Sequence, residues 1–301
     1  MEWGNNRESD NVEDARDASA GSGGGGFGSS GGLIGGLLSG RMGIGTIVIA
    51  LAASYFLGIN PLTVLGFLDG GPVPQVQQHT GQTHGVPAGD VLARHVAEVL
   101  GTTEEVWASQ FKAAGSQYRA PKLVLFRGSY PTACGQGQAA QGPFYCPADQ
   151  KVYIDLSFYE TLKNRLGAPG EFAQAYVIAH EVGHHVQNLL GISGKVDAQR
   201  GRISEVQQNA LSVRLELQAD CLAGVWGYHV KDKFRIDQSD VDSVMNAATK
   251  IGDDALQRAA TGTVRPESFT HGTSAQRVRW FNTGLQSGSI QRCDTFNSRD
   301  L

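Results

Sequence analysis

Positive charge is in short supply in this chain: 25 lysines and arginines against 29 acidic residues leave 301 residues at a formal −4. No global basic field would draw a phosphate backbone, so nucleic acid is not an expected partner. Cysteine is equally sparse. Cys134, Cys146, Cys221 and Cys293 contain no Cys-x-x-Cys pair, which argues against a zinc knuckle or a thioredoxin-like centre. Four cysteines allow three pairings, and the count alone does not choose among them; an even number suits an oxidising compartment. The glycine tract Gly23-Gly24-Gly25-Gly26 has no Gly-Lys-Ser/Thr after it, so it predicts a linker rather than a phosphate cradle. Between Arg41 and Asp69, charge is missing altogether.

These absences divide the chain. Residues 1–40, acidic at first and then rich in Gly and Ser, predict a disordered cytoplasmic segment, because such a composition buries too little apolar surface to offset its ordering entropy. Residues 41–68 exceed the roughly 20 residues that a spanning helix needs, and Asn60-Pro61 breaks the run. A cleaved signal peptide would begin with a short basic region instead of this acidic lead. Arg7, Arg16 and Arg41 precede the run, and the next basic residue is Arg94. The positive-inside rule then predicts a single-pass protein of the cytoplasmic (inner) membrane, with its N-terminus inside and its main domain periplasmic or otherwise extracytoplasmic. Residues 69–90, rich in Pro, Gly and Gln, form a linker, and residues 91–301 form the domain.

Within that domain the expected fold class is α+β, mostly helical with a small β-sheet. A short helix over 91–100 precedes a second that opens on Thr102-x-x-Glu105 as a capping box. Residues 122–127 alternate as a strand, and 144–154 form a hairpin around Pro147-Ala148-Asp149-Gln150. Helices follow at about 171–190, 203–230, 240–260 and 274–286.

The chemistry lies in His180-Glu181-Val182-Gly183-His184. Phe172, Tyr176, Ala179, Gly183, Val186 and Leu190 recur at intervals of four and three, so the segment is helical. His180 and His184 then project from one face a turn apart, where two ring nitrogens can meet one Zn²⁺, while Glu181 stands beside the metal as a general base. A third ligand is needed. Glu216-Leu217-Gln218-Ala219-Asp220 supplies Glu216 for the metal and Asp220 to accept the remaining ring N–H of His180. The alternative, an exposed acidic face, fits poorly with the flanking Leu215, Leu217, Cys221, Leu222 and Ala223. Cys134 and Cys146 flank a Gly/Gln-rich loop, and pairing them would leave Cys221 with Cys293.

The HExxH motif followed by Glu-x-x-x-Asp resembles the gluzincin arrangement of thermolysin. More specifically, the chain resembles a bacterial family of neutral zinc metallopeptidases. The likeness is carried by Arg7–Asp14, Gly142–Pro147, Val152–Tyr159, Ile178–Gln187, Glu216–Cys221 and Thr270–Ser274. It implies a zincin-like fold, one Zn²⁺ per chain, and a peptide or protein substrate. It also implies hydrolysis in which Glu181 takes a proton from the attacking water and returns it to the leaving amine. His271, just before the helix start at Thr273-Ser274, is the expected oxyanion donor, with Arg277 as the alternative. By analogy, the strand carrying Tyr153 would border the cleft. Two other functions stay open: a zinc-binding membrane scaffold without catalysis, and a zinc hydrolase of a non-peptide substrate.

Overall fold

A computed structural model describes residues 1–4, 6–17, 85–138, 142–164 and 167–301. They belong to one compact unit formed by residues 1–20 and 82–301. The stretch 41–68, expected as an anchor, lies outside the described residues, as does most of the linker 69–90. Among the described residues, no helix is long and apolar enough to cross a membrane.

The main sheet has four strands in the order β1-β2-β6-β5: β1 (Val12–Asp14), β2 (Lys122–Phe126), β6 (Lys151–Asp155) and β5 (Phe144–Cys146). The first three run parallel, with Asp14 opposite Leu125 and Leu125 opposite Ile154. Strand β5 closes the edge antiparallel to β6, with Phe144 opposite Tyr153. A separate hairpin, β3 (Ser129–Thr132) and β4 (Gly135–Gln138), carries Cys134 at its turn. Period-two alternation gives the sheet two buried faces. Leu123, Leu125, Val152 and Ile154 join the main core, while Val124, Phe126 and Tyr153 join a smaller cluster with Ala15 and Cys146.

The helices are α1 (Val91–Ala113), α2 (Ser157–Asn164), α3 (Glu171–Leu189), α4 (Ile192–Asp197), α5 (Glu205–Val230), α6 (Gln238–Lys250), α7 (Asp253–Thr261) and α8 (Ser274–Ser287). Helix α3 packs on the sheet side against α1 and on the other side against α5, which α8 covers in turn. Fold class, hairpin and three of the four late helices follow the sequence pattern. The third, expected over about 240–260, breaks at Gly252, giving α6 and α7.

Two expectations fail at the N-terminus. Residues 1–4 and 6–17 are not disordered: they lie across the domain, and most of their charges, which look like those of a solvated tail, are spent on specific partners. Glu13 pairs with Lys122 and Lys151, both at 2.7 Å. The buried Glu98 carboxylate accepts from the backbone N–H of Gly4 at 2.8 Å and of Asn6 at 3.2 Å. The second failure follows from the first. Residues 91–113 form one helix, and Thr102 caps nothing; its buried hydroxyl donates to the Val99 carbonyl. The crossing segment explains this, because a Cβ at Gly101 would collide with the Arg7 carbonyl, so the glycine in mid-helix is a seat for residues 7–9. The fold also places β1 beside β2. In the sequence the two strands lie on either side of the 41–68 stretch.

Trp3 covers His95, ring centroids 3.8 Å apart, and the His95 Nε2 has no partner. Burial holds this imidazole down to about 4 from an ordinary 6.5. Between those values the unfolded chain binds the extra proton, so stability is lost as pH falls from 6.5 towards 4, by up to about 3 kcal/mol. Urea melts at pH 7 and pH 4.5 should show a shallower acid loss for His95→Gln than for wild type. Equal losses would remove His95 as the cause.

Candidate metal centre

The two histidines sit on α3 where the helix passes closest to α5. A Cβ at Gly183 would lie 3.1 Å from the Ala219 carbonyl, so glycine there lets the two backbones approach and brings Glu216 across the gap. Glu216 Oε2 lies 3.2 Å from His180 Nε2, and Oε1 lies 3.4 Å from His184 Nε2. The imidazoles stand perpendicular, centroids 4.8 Å apart. Among the described residues these three form a group able to hold a metal, their ligand atoms all within 4.8 Å of one another.

Hydrogen bonding on the far side of each ring fixes which nitrogen faces the group. His180 Nδ1 donates to Asp220 Oδ1 at 2.9 Å. His184 Nδ1 donates to Gln187 Oε1 at 2.9 Å, whose amide nitrogen is committed to the Leu215 carbonyl at 2.7 Å. In the neutral tautomers, both Nε2 lone pairs therefore point at the Glu216 carboxylate. Three acceptors that face one another in the wall of a cleft call for a shared cation or proton between them. Protons show the same demand. Although burial opposes it, the charges of Asp220 and Glu216 raise His180 to about 10, Glu216 also raises His184, and the two histidines hold Glu216 well below the carboxylate range. Each Nε2 has a Glu216 oxygen at 3.2 or 3.4 Å, not the same oxygen for both, and two imidazoles with a carboxylate are ligands that zinc takes. The donor set fits Zn²⁺.

Asp220, fully buried, organises the layer beneath. Besides His180 it accepts from Tyr176 Oη at 2.5 Å and from Arg277 Nε and Nη2, both at 2.9 Å. Burial alone would raise its carboxyl, but Arg277 and His180 bring it down to about 2. Arg277 is thereby committed to Asp220 and Tyr176. Glu181, one residue past His180, is buried in the wall of a cleft of about 610 Å³ that also exposes His180, His184, Glu216 and His271. Burial raises the Glu181 carboxyl; the two histidines and the backbone N–H of Tyr145 oppose it. A carboxylate moved towards neutral pH beside an electrophilic centre is suited to carrying protons.

His271 lines the same cleft from the loop before α8. The Asp253 carboxylate holds that loop: Oδ2 accepts the backbone N–H groups of Thr270, His271 and Gly272 at 2.7, 2.6 and 3.0 Å, and Oδ1 lies 3.3 Å from His271 Nδ1. The Asp253 contact raises the imidazole above its usual range. Helix α8 then starts on a capping box between Thr273 and Gln276. Tyr153, expected at the cleft, is buried in the smaller core cluster and donates to Asp149 Oδ2 at 2.7 Å. The neighbouring edge strand β5 supplies the cleft wall instead, through Phe144 and Tyr145. Both expected disulfides are present, Cys134–Cys146 and Cys221–Cys293; the second fastens α5 one residue past Asp220 to the C-terminal segment.

Gln187, Tyr176 and Asp253 escaped the sequence reading. Gln187 carries a weak signal, three residues after His184 on one helix, whereas nothing local links Asp253 to His271.

A family profile described as "Putative neutral zinc metallopeptidase" matches residues 1–296. The Escherichia coli (strain K12) protein YpfJ, described as uncharacterized, is 48% identical over 296 residues, covering 98% of this chain and 99% of its own. The uncharacterized Mycobacterium bovis protein Mb2605 is 43% identical over 195 residues, 61% of this chain and 65% of its own. No solved structure matches the chain.

Proposed function

Because the chain belongs to this neutral zinc metallopeptidase family, we propose that it is a zinc-dependent peptidase, with His180, His184 and Glu216 as ligands of one Zn²⁺ and Glu181 as general base. The observation that carries this is the convergence of two imidazoles and a carboxylate, with ligand atoms within 4.8 Å of one another, beside a buried carboxylate that is outside the set. Zinc bound there would supply a Lewis acid for the scissile carbonyl and acidify a water. Glu181 takes the proton of the attacking water and returns it to the leaving amine. His271, its loop gripped by Asp253, donates to the oxyanion that forms on the substrate carbonyl. Asp220 keeps His180 in the tautomer that presents Nε2, and Gln187 does the same for His184.

A scaffold without catalysis needs the three ligands but has no use for Glu181, and burying a fourth carboxylate or histidine beside them costs stability with no structural return. The layout thus favours a zincin-like hydrolase over a scaffold, and peptide bonds over other substrates on family membership. Attachment to the membrane through the uncharged run within 41–68 is part of the proposal.

Purified protein should contain about one zinc per chain and cleave unfolded proteins or peptides, with cleavage abolished by chelation and restored by Zn²⁺. Glu216→Ala should lose most of the metal. Full zinc occupancy in that variant would move the third ligand elsewhere, and a zinc-loaded wild type inert on a broad peptide panel would count against peptidase activity.

A further inference from the structure

Tyr145 is the middle residue of the edge strand β5, and alternation sends its side chain the opposite way from its neighbours. Phe144 stacks on Tyr153 of β6, ring centroids 5.0 Å apart, and Cys146 is bonded to Cys134. Those two neighbours pack with the smaller core cluster, whereas Tyr145 packs against the main core. There its ring meets α3. The hydroxyl lies 3.0 Å from His185 Nδ1 and 3.0 Å from Asn188 Nδ2.

The far side of the buried His185 ring sets the direction of these bonds. Its Nε2 lies 2.6 Å from the Arg119 backbone carbonyl, which only accepts, so Nε2 carries the proton and donates. In the neutral imidazole Nδ1 is then an acceptor, and the Tyr145 hydroxyl donates to it. The hydroxyl oxygen is left to accept from the Asn188 amide. Each group from Asn188 to Arg119 thus has one role, and the hydroxyl is the link between them.

Glu181, His185 and Asn188 follow one another at intervals of four and three on α3, and so share one face of that helix. Tyr145 lies along this face and meets it at both ends. Its hydroxyl engages His185 and Asn188, and its backbone N–H engages the Glu181 carboxylate. Because the ring and the N–H belong to one residue, a strand that slips at the hydroxyl end carries the N–H away from Glu181 as well. We propose that Tyr145 is a positioning residue: anchored through its hydroxyl on His185 and Asn188, it holds its own N–H where it orients the Glu181 carboxylate. The inference rests on Glu181 being the general base of the hydrolysis proposed above. It gives the second histidine of His184-His185 a task separate from metal binding, which is to fix the strand that steers the base.

The test is Tyr145→Phe in the full chain, with two readouts. In metal-free protein, hydrogen exchange of the amide at position 145 should speed up by about tenfold, the protection of roughly one hydrogen bond, while the amides of β6 keep theirs. Glu181→Ala should release the same amide from the other end. With zinc bound, Tyr145→Phe should keep its metal and lose at least about tenfold in kcat, because a slightly misplaced catalytic group forfeits that much or more. KM should stay within about twofold, since the Phe144 stack and the Cys134–Cys146 bond still hold the strand in the sheet. An amide at 145 that exchanges as slowly in both variants as in wild type overturns the proposal, as does a loss that appears in KM alone. Should the wild type cleave no peptide, the exchange readout still decides the positioning, and it is the peptidase reading that falls. Where Tyr145→Phe fails to fold, Asn188→Ala removes the amide donor and leaves the ring in place; wild-type exchange at 145 together with wild-type kcat in that variant overturns the proposal.

Discussion

Glu181→Gln should lower peptide hydrolysis by at least about two orders of magnitude while zinc content and melting temperature stay close to wild type, since general acid–base groups contribute about 10²–10⁴-fold. The expectation rests on position. Glu181 stands beside the three converging ligand atoms without being one of them, and the amide is nearly isosteric with the acid it replaces. His184→Ala behaves differently: it removes a ligand, so metal is lost and stability falls with it. The two variants are to be measured side by side for hydrolysis, zinc and melting temperature. Full wild-type activity in Glu181→Gln would defeat the mechanism, and equal inertness of wild type and variant, both retaining zinc, would favour the scaffold.

The largest effect on stability is expected at Asp220. Its removal leaves the Arg277 guanidinium, 4% exposed, with no counter-charge, and breaks the donor contacts of Tyr176 and His180 at once. Breaking a buried pair from one side costs about 3–5 kcal/mol, so Asp220→Ala should lose that much in urea unfolding. Arg277→Met should cost less, because Asp220 keeps its other two partners. Adding Arg277→Met to Asp220→Ala should recover part of the loss, since the stranded charge is gone. A deficit of under about 1 kcal/mol in Asp220→Ala would mean that the cluster relaxes or admits water.

The parts of this fold that were legible are those in which one helix face carries its own pattern. His180 and His184 share a face by spacing alone, and Glu216 and Asp220 repeat the device on α5, so the ligands and the support of one of them could be read before any contact was known. Glycine at position 183 does more than fit the period, because it sets the helix separation that lets Glu216 reach the histidines. What stayed hidden depends on partners far away in sequence. Residues 1–17 have the composition of a tail, and distant partners such as Lys122, Lys151, Asp90, Glu98 and Glu104 turn it into a strand and a belt. Thr102-x-x-Glu105 matches a helix start, yet the helix runs through it because the belt crosses at Gly101. The expected membrane orientation counts Arg16 among its flanking arginines, and that rule does not register that Arg16 is held by Asp14 and Asp90.

The parallel pairing of Val12 with Leu123 also sets an order of assembly. At about 5–20 residues per second, β1 leaves the ribosome some 5–20 s before its partner strand exists. In that interval it has nothing to bind. Closing so long a loop is a modest thermodynamic burden, as each doubling of loop length costs only about 0.6 kcal/mol, but it delays the sheet by raising contact order. The edge of β2 that β1 will cover is left open meanwhile. Folding of the domain is thus expected to finish at its N-terminus, and the first strand synthesised should be among the last to acquire protection from hydrogen exchange.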